Sequence, residues 1–248
     1  MHQNGRDERM KKLLCNGSLQ HMPQENKHEQ SMDVKLYEAA KEGDVDSFIG
    51  ALEKVSEANN SSLHTISKQR THMGNTFLHV AASHGNEEIT SFIVLYFRNL
   101  LRLKNREGNT ANHEAARAGH VGALDILVKF DRYYDQLNSS IEYDTLKSLT
   151  RYDWHLKNNA GNASLHEAFL YNQIKVIEYL MESSVEEAYY VNDEGKSGLY
   201  LAVEAAMVQG VKTILSNMTP YVEEKICLQI KNGRSLINAA IQRRSTGI

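Results

Sequence analysis

The amino-acid sequence predicts an all-α fold, a solenoid of about five to six stacked helix–turn–helix units. Three observations predict it: a short motif recurs along the chain, its copies follow one another at similar spacing, and an amphipathic segment follows each copy. The most complete copy is Gly108–Gly119, which reads Gly-Asn-Thr-Ala-Asn-His-Glu-Ala-Ala-Arg-Ala-Gly. One such helix pair cannot cover its own apolar face, so neighbouring pairs have to stack on it.

The spacing of the copies is counted at the position that His113 occupies. His79 and His113 are 34 positions apart, and so are His166 and Tyr200. The steps 37 to 79, 113 to 166 and 200 to 238 span 42, 53 and 38 positions, which places insertions in those connectors. A period in the low thirties is typical of a helix–turn–helix solenoid.

The chain divides into a polar tail and a repeat domain. Residues 1–31 show no apolar periodicity, so we predict that they are disordered. The repeat domain then covers residues 32–248. Its copies lie near residues 33–54, 73–104, 107–130, 159–183, 193–218 and 231–248, the last one incomplete, with an insertion at 131–157.

Local chemistry explains how the motif forms its first helix. Gly108-Asn109 suits a tight turn that requires a positive φ angle. Thr110 then caps the helix, and Gly119 ends it in the left-handed conformation. The second helix of each copy has apolar residues at i, i+3, i+4 and i+7, as in Ile89, Phe92, Ile93 and Tyr96.

The pattern Gly-x-Thr-x-x-His-x-Ala-Ala with its 34-residue step resembles the ankyrin repeat. The family consensus Thr-Pro-Leu-His-x-Ala is met in part by residues 76–81 and 164–168. A narrower resemblance, to the plant accelerated-cell-death type of ankyrin protein, rests on five segments: Leu100–Asn105, Gly108–Thr110, His113–Ala115, Tyr189–Asn192 and Gly195–Ala202.

The narrower resemblance implies protein partners and a role in plant defence or cell-death signalling. Members of that family typically carry more repeats and a C-terminal membrane region, which we do not find in this sequence. We therefore expect the chain to be a truncated or incomplete member.

The resemblance to ankyrin repeats also implies structural roles for the motif positions, since the family uses the imidazole to tie the turn to the helix. These positions are Thr76, His79, Gly85, Thr110, His113, Gly119, His166 and Tyr200. Asn112 departs from the pattern, because it occupies the slot of a buried Leu and predicts a weak joint. Asn172 and Ala206 replace the helix-ending Gly, so we expect those helix ends to be less sharply set.

Two groups of residues are candidates for binding a protein partner. Stacked repeats project their turn tips along one side, which gives the first group: His72, Asn75, Arg106, Glu107, Asn158, Asn159, Asp193, Lys196, Lys231 and Arg234. The second group is the connector Asp131–Trp154 with Tyr133, Tyr134 and Trp154, because exposed aromatic residues are favoured interface anchors. Two alternatives stay open, a solvated polar edge for the tips and an inserted loop whose rings fold back onto the helices.

Composition and motifs argue against catalysis and against nucleic-acid binding. The formal net charge is -3 and the basic residues are scattered, which gives no basic face for nucleic acid. No dinucleotide-binding, Walker-type or nucleophile-elbow motif occurs, and the histidines lack the spacing of a zinc helix. We predict a non-catalytic scaffold without cofactor or metal. The alternatives are a poorly folding fragment without independent activity and an enzyme with a site in residues 131–154.

The expected location is the cytoplasm. The two cysteines, Cys15 and Cys227, are far apart in sequence, which fits a reducing compartment. No apolar run approaches the roughly 20 residues of a membrane helix, so we expect no direct membrane insertion by this segment. If the full-length form carries the family's membrane region, we expect the cytoplasmic face of the plasma membrane.

Overall fold

The computed structural model describes residues 2–17, 31–59, 61–138, 156–183 and 188–216. These residues form α-helices joined by turns, with a 3-10 turn at Arg98–Leu100. The prediction of an all-α repeat solenoid is confirmed. The helices are α1 His2–Gly17, α2 Val34–Glu42, α3 Val45–Asn59, α4 Leu63–Ser67, α5 Phe77–Ser83, α6 Glu87–Tyr96, α7 Ala111–Ala118, α8 Val121–Asn138, α9 Ser164–Leu170, α10 Ile174–Ser183, α11 Gly198–Glu204 and α12 Val208–Ser216.

Five helix pairs stack in chain order within these residues. The first helices α2, α5, α7, α9 and α11 each pack on the next, and the second helices α3, α6, α8, α10 and α12 pack along the outer side. Ala81, Ala115 and Ala168 are fully buried between first helices. These small side chains let the helices approach closely, which is why the motif carries alanine there.

The first helices α2, α5 and α11 begin after residues whose side chains accept free backbone N–H groups, whereas the residues before α7 and α9, Thr110 and Ala163, form no such hydrogen bond. Thr76 Oγ1 accepts from Leu78 at 3.2 Å and from His79 at 3.3 Å. Ser197 Oγ accepts from Tyr200 at 3.1 Å. An N-cap of this kind stabilises a helix by about 1 kcal/mol, so short helices of seven residues form at defined positions.

The helices that lack a closing glycine end in the same backbone conformation as those that have one. Gly85 and Gly119 have φ angles of 71° and 85°, and Asn172 and Ala206 have 57° and 56°. The expectation that the helices ending at Asn172 and Ala206 have less well-defined ends is therefore wrong. Backbone hydrogen bonds across the helix end accompany this conformation, as Gln173 N–H donates to the Ala168 carbonyl at 2.9 Å and Met207 N–H donates to the Ala202 carbonyl at 2.8 Å.

The prediction of disorder for residues 1–31 is wrong over His2–Gly17, which form α1. Met10 and Leu13 of this helix are buried in the core of the repeat array. Sequence periodicity misses α1 because few of its residues are apolar and much of its support comes from ion pairs with distant residues. Residues 18–30 lie outside the described residues.

The boundary predicted between the third repeat and the insertion at 131–157 is also wrong. Residues 131–138 continue α8, which ends at Asn138 rather than near residue 130. Tyr133 is 60% exposed on this helix, so its ring does not fold back onto the array. Trp154, the side chain of Tyr134 and the sixth copy with Lys231 and Arg234 lie outside the described residues.

Candidate protein-binding surface

The tips of the turns between repeats are joined to one another by backbone hydrogen bonds. Arg106 N–H donates to the Met73 carbonyl at 3.0 Å, and Asn159 N–H donates to the Glu107 carbonyl at 3.0 Å. At the next tip, Asp193 N–H donates to the Ala160 carbonyl at 3.2 Å. Consecutive tips therefore form one continuous edge along the array.

Glycine is needed at these tips for conformation and for space. Gly108 has a φ angle of 78°, and a Cβ atom there would lie 2.6 Å from the backbone nitrogen of Asn159. At Gly161, a Cβ atom would lie 2.5 Å from the backbone nitrogen of Asp193. A side chain at either position would push two neighbouring tips apart.

Below the tips, asparagine side chains form a hydrogen-bonded series that we call the asparagine ladder: Asn75, Asn105, Asn109, Asn158, Asn162 and Asn192. Within each repeat one asparagine closes its own turn, as Asn158 Oδ1 accepts from the N–H groups of Ala160 and Asn162, both at 3.0 Å. Its Nδ2 then donates to Asn109 of the preceding repeat at 2.8 Å. The contacts Asn105–Asn75 and Asn192–Asn162 repeat this link at 2.8 Å.

Sequence reasoning missed the asparagine ladder although the signal is present. An asparagine stands three positions before the tip glycine in Asn105, Asn158 and Asn192, at the same place in each copy. The motif analysis began at the glycine and did not extend upstream. The ladder connects each turn to the next with partly or fully buried polar side chains, which makes it a structural frame.

A buried carboxylate supports the ladder in the fourth repeat. Glu167 is 2% exposed and accepts from Asn158 at 2.8 Å, from Asn162 at 3.0 Å and from Arg117 Nε at 3.1 Å. Arg117 also donates to Glu107 at 2.9 Å. Burial alone would lower the pKa of Arg117, but these carboxylates raise it above its ordinary value. Arg117 therefore remains charged, and its hydrogen bond to Glu167 joins the third repeat to the fourth.

The histidines of the motif form a second buried series. In His79, Nδ1 accepts the Thr76 N–H at 3.3 Å, which leaves the proton on Nε2 to donate to the Asn109 carbonyl at 2.9 Å. In the same way, Nε2 of His113 donates to the Asn162 carbonyl and Nε2 of His166 donates to the Tyr190 carbonyl, both at 2.9 Å. Desolvation by burial lowers the pKa of each of the three imidazoles to about 4, so they are neutral at physiological pH.

Tyr200 occupies the histidine position in the fifth repeat and is fully buried. Lys196 lies over its ring at 5.8 Å and forms ion pairs with Glu194 at 3.2 Å and Glu204 at 3.1 Å. Burial opposes the charge of Lys196, but hydrogen bonds to these carboxylates raise its pKa. This repeat therefore replaces a hydrogen-bonded imidazole with a ring and a paired ammonium group.

The structure separates the predicted tip residues into two sets. Asn75, Asn158 and Lys196 are partly buried and are engaged in the contacts described above. The second set is exposed at the tips themselves and forms what we call the tip row: His72, Arg106, Glu107, Asn159 and Asp193. The tip row lies along the exposed edge of the array, where Glu107 also accepts from Arg117 and Asn159 also donates to the Arg106 carbonyl at 2.9 Å.

An exposed apolar pair lies at the end of α9, on the helix layer next to the tip row. Leu170 is 50% exposed and Tyr171 is 51% exposed. The Arg117 guanidinium lies 5.1 Å from the centre of the Tyr171 ring and holds it in place. The sequence signal was the replacement of Arg117-Ala118-Gly119 by Leu170-Tyr171-Asn172, which the motif comparison did not use.

The described residues contain no group of three or more histidine, cysteine or acidic side chains arranged to hold a metal ion. In the same part of the chain, no helix has the length and hydrophobicity required to cross a lipid bilayer. The polar groups of the turns and first helices instead contact one another across repeats. The fold and its exposed edge thus define a helical repeat protein that presents a surface.

Comparison with known proteins identifies the repeat. Residues 36–140 match the family model described as ankyrin repeats in three copies. The crystal structure of the ankyrin repeat domain of Bcl-3 aligns with a TM-score of 0.55 at 21% identity, covering 76% of this chain and 73% of that one. The chain therefore has the ankyrin-repeat fold.

It resembles Protein ACCELERATED CELL DEATH 6 of Arabidopsis thaliana, to which it is 24% identical over 187 residues. The alignment covers 72% of this chain and 27% of the relative. The chain therefore spans about a quarter of the length of that protein.

Proposed function

We propose that the protein is a non-catalytic scaffold that binds a protein partner through the tip row and the adjacent pair Leu170 and Tyr171. The observation that supports this proposal is that buried polar side chains join the repeats to one another, whereas a different set of side chains, the tip row, is exposed. The asparagine ladder and the histidines join the buried polar groups of neighbouring turns to one another, which leaves the tip row exposed on a fixed backbone. A fixed surface loses little conformational entropy on binding, which favours affinity.

The chemistry of this surface suits a polar partner segment with one apolar anchor. His72, Arg106, Glu107, Asn159 and Asp193 supply donors, acceptors and both signs of charge. Tyr171 and Leu170 supply an exposed apolar anchor at the fourth repeat. A large aromatic side chain beside polar groups is the usual composition of an interface hot spot. Tyr133 on α8 belongs to a separate exposed site and is a second candidate anchor.

We further propose that this binding serves plant defence or cell-death signalling in the cytoplasm, or at the cytoplasmic face of the plasma membrane. The resemblance to Protein ACCELERATED CELL DEATH 6 supports this proposal, and it extends over 72% of the chain. Expression of a tagged chain in plant cells tests the location. Cell fractionation is expected to recover it with cytosolic proteins or with plasma membranes, and recovery in secreted fluid would contradict the proposal.

Quantitative affinity capture with two matched variants tests the binding surface. The first combines Arg106→Ala, Asn159→Ala and Tyr171→Ala, and the second combines Lys54→Ala, Lys129→Ala and Leu95→Ala on exposed positions of the outer helices. A partner enriched by the wild-type chain is expected to be lost with the first variant and retained with the second. Equal retention by both variants would overturn the proposed surface.

A further inference from the structure

The outer face of the first two repeats carries an acidic surface that α1 covers. Asp46 lies in the first turn of α3, and Glu88 lies in the first turn of α6. Glu53 follows along α3, and Asp44 and Glu87 are exposed beside these residues. We call this group of five carboxylates the acidic outer face. A basic helix is the complementary ligand for such a surface.

α1 provides that complement through the side chains of one stripe. Arg6 donates to Asp46 at 2.7 Å and to Glu88 at 2.6 Å, which bridges the outer helices of two repeats. Arg9 donates to Glu53 at 2.6 Å. Met10 and Leu13 continue the stripe at i+4 and i+7 from Arg6, and both are buried.

The polar attachment of α1 consists of these ion pairs and a hydrogen bond from the Tyr96 hydroxyl to Asp7 at 2.6 Å, and it is partly exposed to solvent. Met10 and Leu13 are its buried apolar side chains within the described part of the helix. The side chains of Asp46 and Glu88 keep 49% and 67% of their surface exposed. Ion pairs of this kind are weakened by salt and by competing charges. α1 is therefore held by contacts that another basic helix can replace.

We propose that the acidic outer face, together with the apolar core residues that Met10 and Leu13 cover, is a second binding surface, and that α1 occupies it in cis. Its partner is a basic amphipathic helix of another protein, with two arginines three positions apart followed by apolar residues on the same face. α1 then acts as an intramolecular competitor. This surface lies on the outer helices and is separate from the tip row.

A peptide of residues 1–17 with a fluorescent label is the probe for this surface, used with the full-length chain. In the chain carrying Arg6→Glu and Arg9→Glu, the helix can no longer compete, so the peptide is expected to bind at least about tenfold more tightly than to the wild-type chain. Fluorescence anisotropy measures both affinities. About 0.5 M salt is expected to weaken the binding, because it screens the ion pairs.

Two control variants connect the result to this surface. Lys11→Glu with Lys12→Glu changes the same charge on the exposed side of α1, and it is expected to leave the surface occupied and peptide binding weak. The chain carrying Arg6→Glu and Arg9→Glu is called the released chain. Adding Asp46→Lys and Glu53→Lys to the released chain is expected to abolish peptide binding, and circular dichroism checks that this variant is folded. Equal peptide affinity for wild-type and released chains would overturn the proposal. A concentration-dependent dimer of the wild-type chain would also overturn it, since α1 of a second copy would then be the occupant.

Discussion

The second and third repeats differ from the fourth and fifth at the residues that begin and end the first helix. Thr76 and Thr110 precede the helix in the former pair, whereas Ala163 and Ser197 stand at that position in the latter. The closing residues also differ, as Gly85 and Gly119 correspond to Asn172 and Ala206. All four units nevertheless share one backbone geometry.

This difference shows how stability is distributed in a stacked array. A repeat with suboptimal helix ends adopts the common geometry because its neighbours hold it through the asparagine ladder and the buried alanines. In a one-dimensional array, each interface contributes separately to stability. Locally unfavourable residues therefore lower the stability of one repeat without changing the path of the chain.

Acid is expected to have the largest effect, and it acts on the repeats that contain histidine. The three buried imidazoles have a folded pKa of about 4, below their ordinary value, so the unfolded chain binds more protons between these limits. Their stabilising contribution is complete above pH of about 6.5 and is lost as the pH falls towards about 4, by about 3 kcal/mol for each histidine. Chemical denaturation at several pH values measures the loss. His166→Gln, which does not titrate, is expected to reduce the slope, and an unchanged slope would contradict the assignment.

Removal of the buried carboxylate tests the joint between the third and fourth repeats. Glu167→Ala leaves Arg117, Asn158 and Asn162 without a shared partner, and it is expected to lower the free energy of unfolding by about 3 kcal/mol. Glu182→Ala, an exposed position on α10, is the matched control and is expected to change it by less than about 0.5 kcal/mol. Urea unfolding distinguishes the two. A loss at Glu167 as small as at Glu182 would show that the carboxylate does not hold the joint.

Asn112 is expected to be a position where substitution stabilises the protein. Its side chain is buried, and its Oδ1 atom has no hydrogen-bond partner within the described residues. Asn112→Leu removes an unsatisfied polar atom at similar volume and is expected to raise the free energy of unfolding by about 1–2 kcal/mol. A clear drop in melting temperature would refute the claim that this slot is apolar.

The helix ends should give the smallest effects, with opposite signs in the two halves of the comparison. Ala206→Gly relieves a left-handed alanine and is expected to stabilise the fifth repeat by about 1 kcal/mol. Gly119→Ala is expected to destabilise by more than about 1 kcal/mol, because its φ angle of 85° strains any residue with a Cβ atom. Thermal unfolding of both variants measures the difference. Shifts of equal sign would contradict the assigned cap roles.

The repeat architecture was accessible from the sequence because its signals are local. A turn glycine, a capping residue, two alanines and a 34-residue step all lie within one unit or its neighbour. The docking of α1 was not accessible, because Arg6 pairs with Asp46 and Glu88, which are 40 and 82 positions away. The length of α8 was missed for a similar reason, since the buried Asp131 on its continuation pairs with Arg102, a residue outside the helix, at 3.8 Å.

The candidate surface was predictable only in part. The motif placed all the tip residues on one edge, but it did not distinguish exposed residues from those of the frame. Asn158 and Asn159 are adjacent in sequence and similar in chemistry. Asn158 joins two repeats through partly buried hydrogen bonds, whereas Asn159 is exposed and its side chain donates one exposed hydrogen bond, to the Arg106 carbonyl at 2.9 Å. That distinction depends on side-chain direction in the folded turn, which the sequence pattern does not encode.

This pair provides the most direct test of the division between frame and surface. Equilibrium unfolding of Asn158→Ala and Asn159→Ala in urea compares two asparagine deletions at neighbouring positions. The account predicts that Asn158→Ala lowers the free energy of unfolding by about 3 kcal/mol, because it breaks the turn and the ladder together. Asn159→Ala removes one exposed hydrogen bond, to the Arg106 carbonyl, and is expected to lower this free energy by no more than about 1 kcal/mol. Equal losses at the two positions would contradict the account.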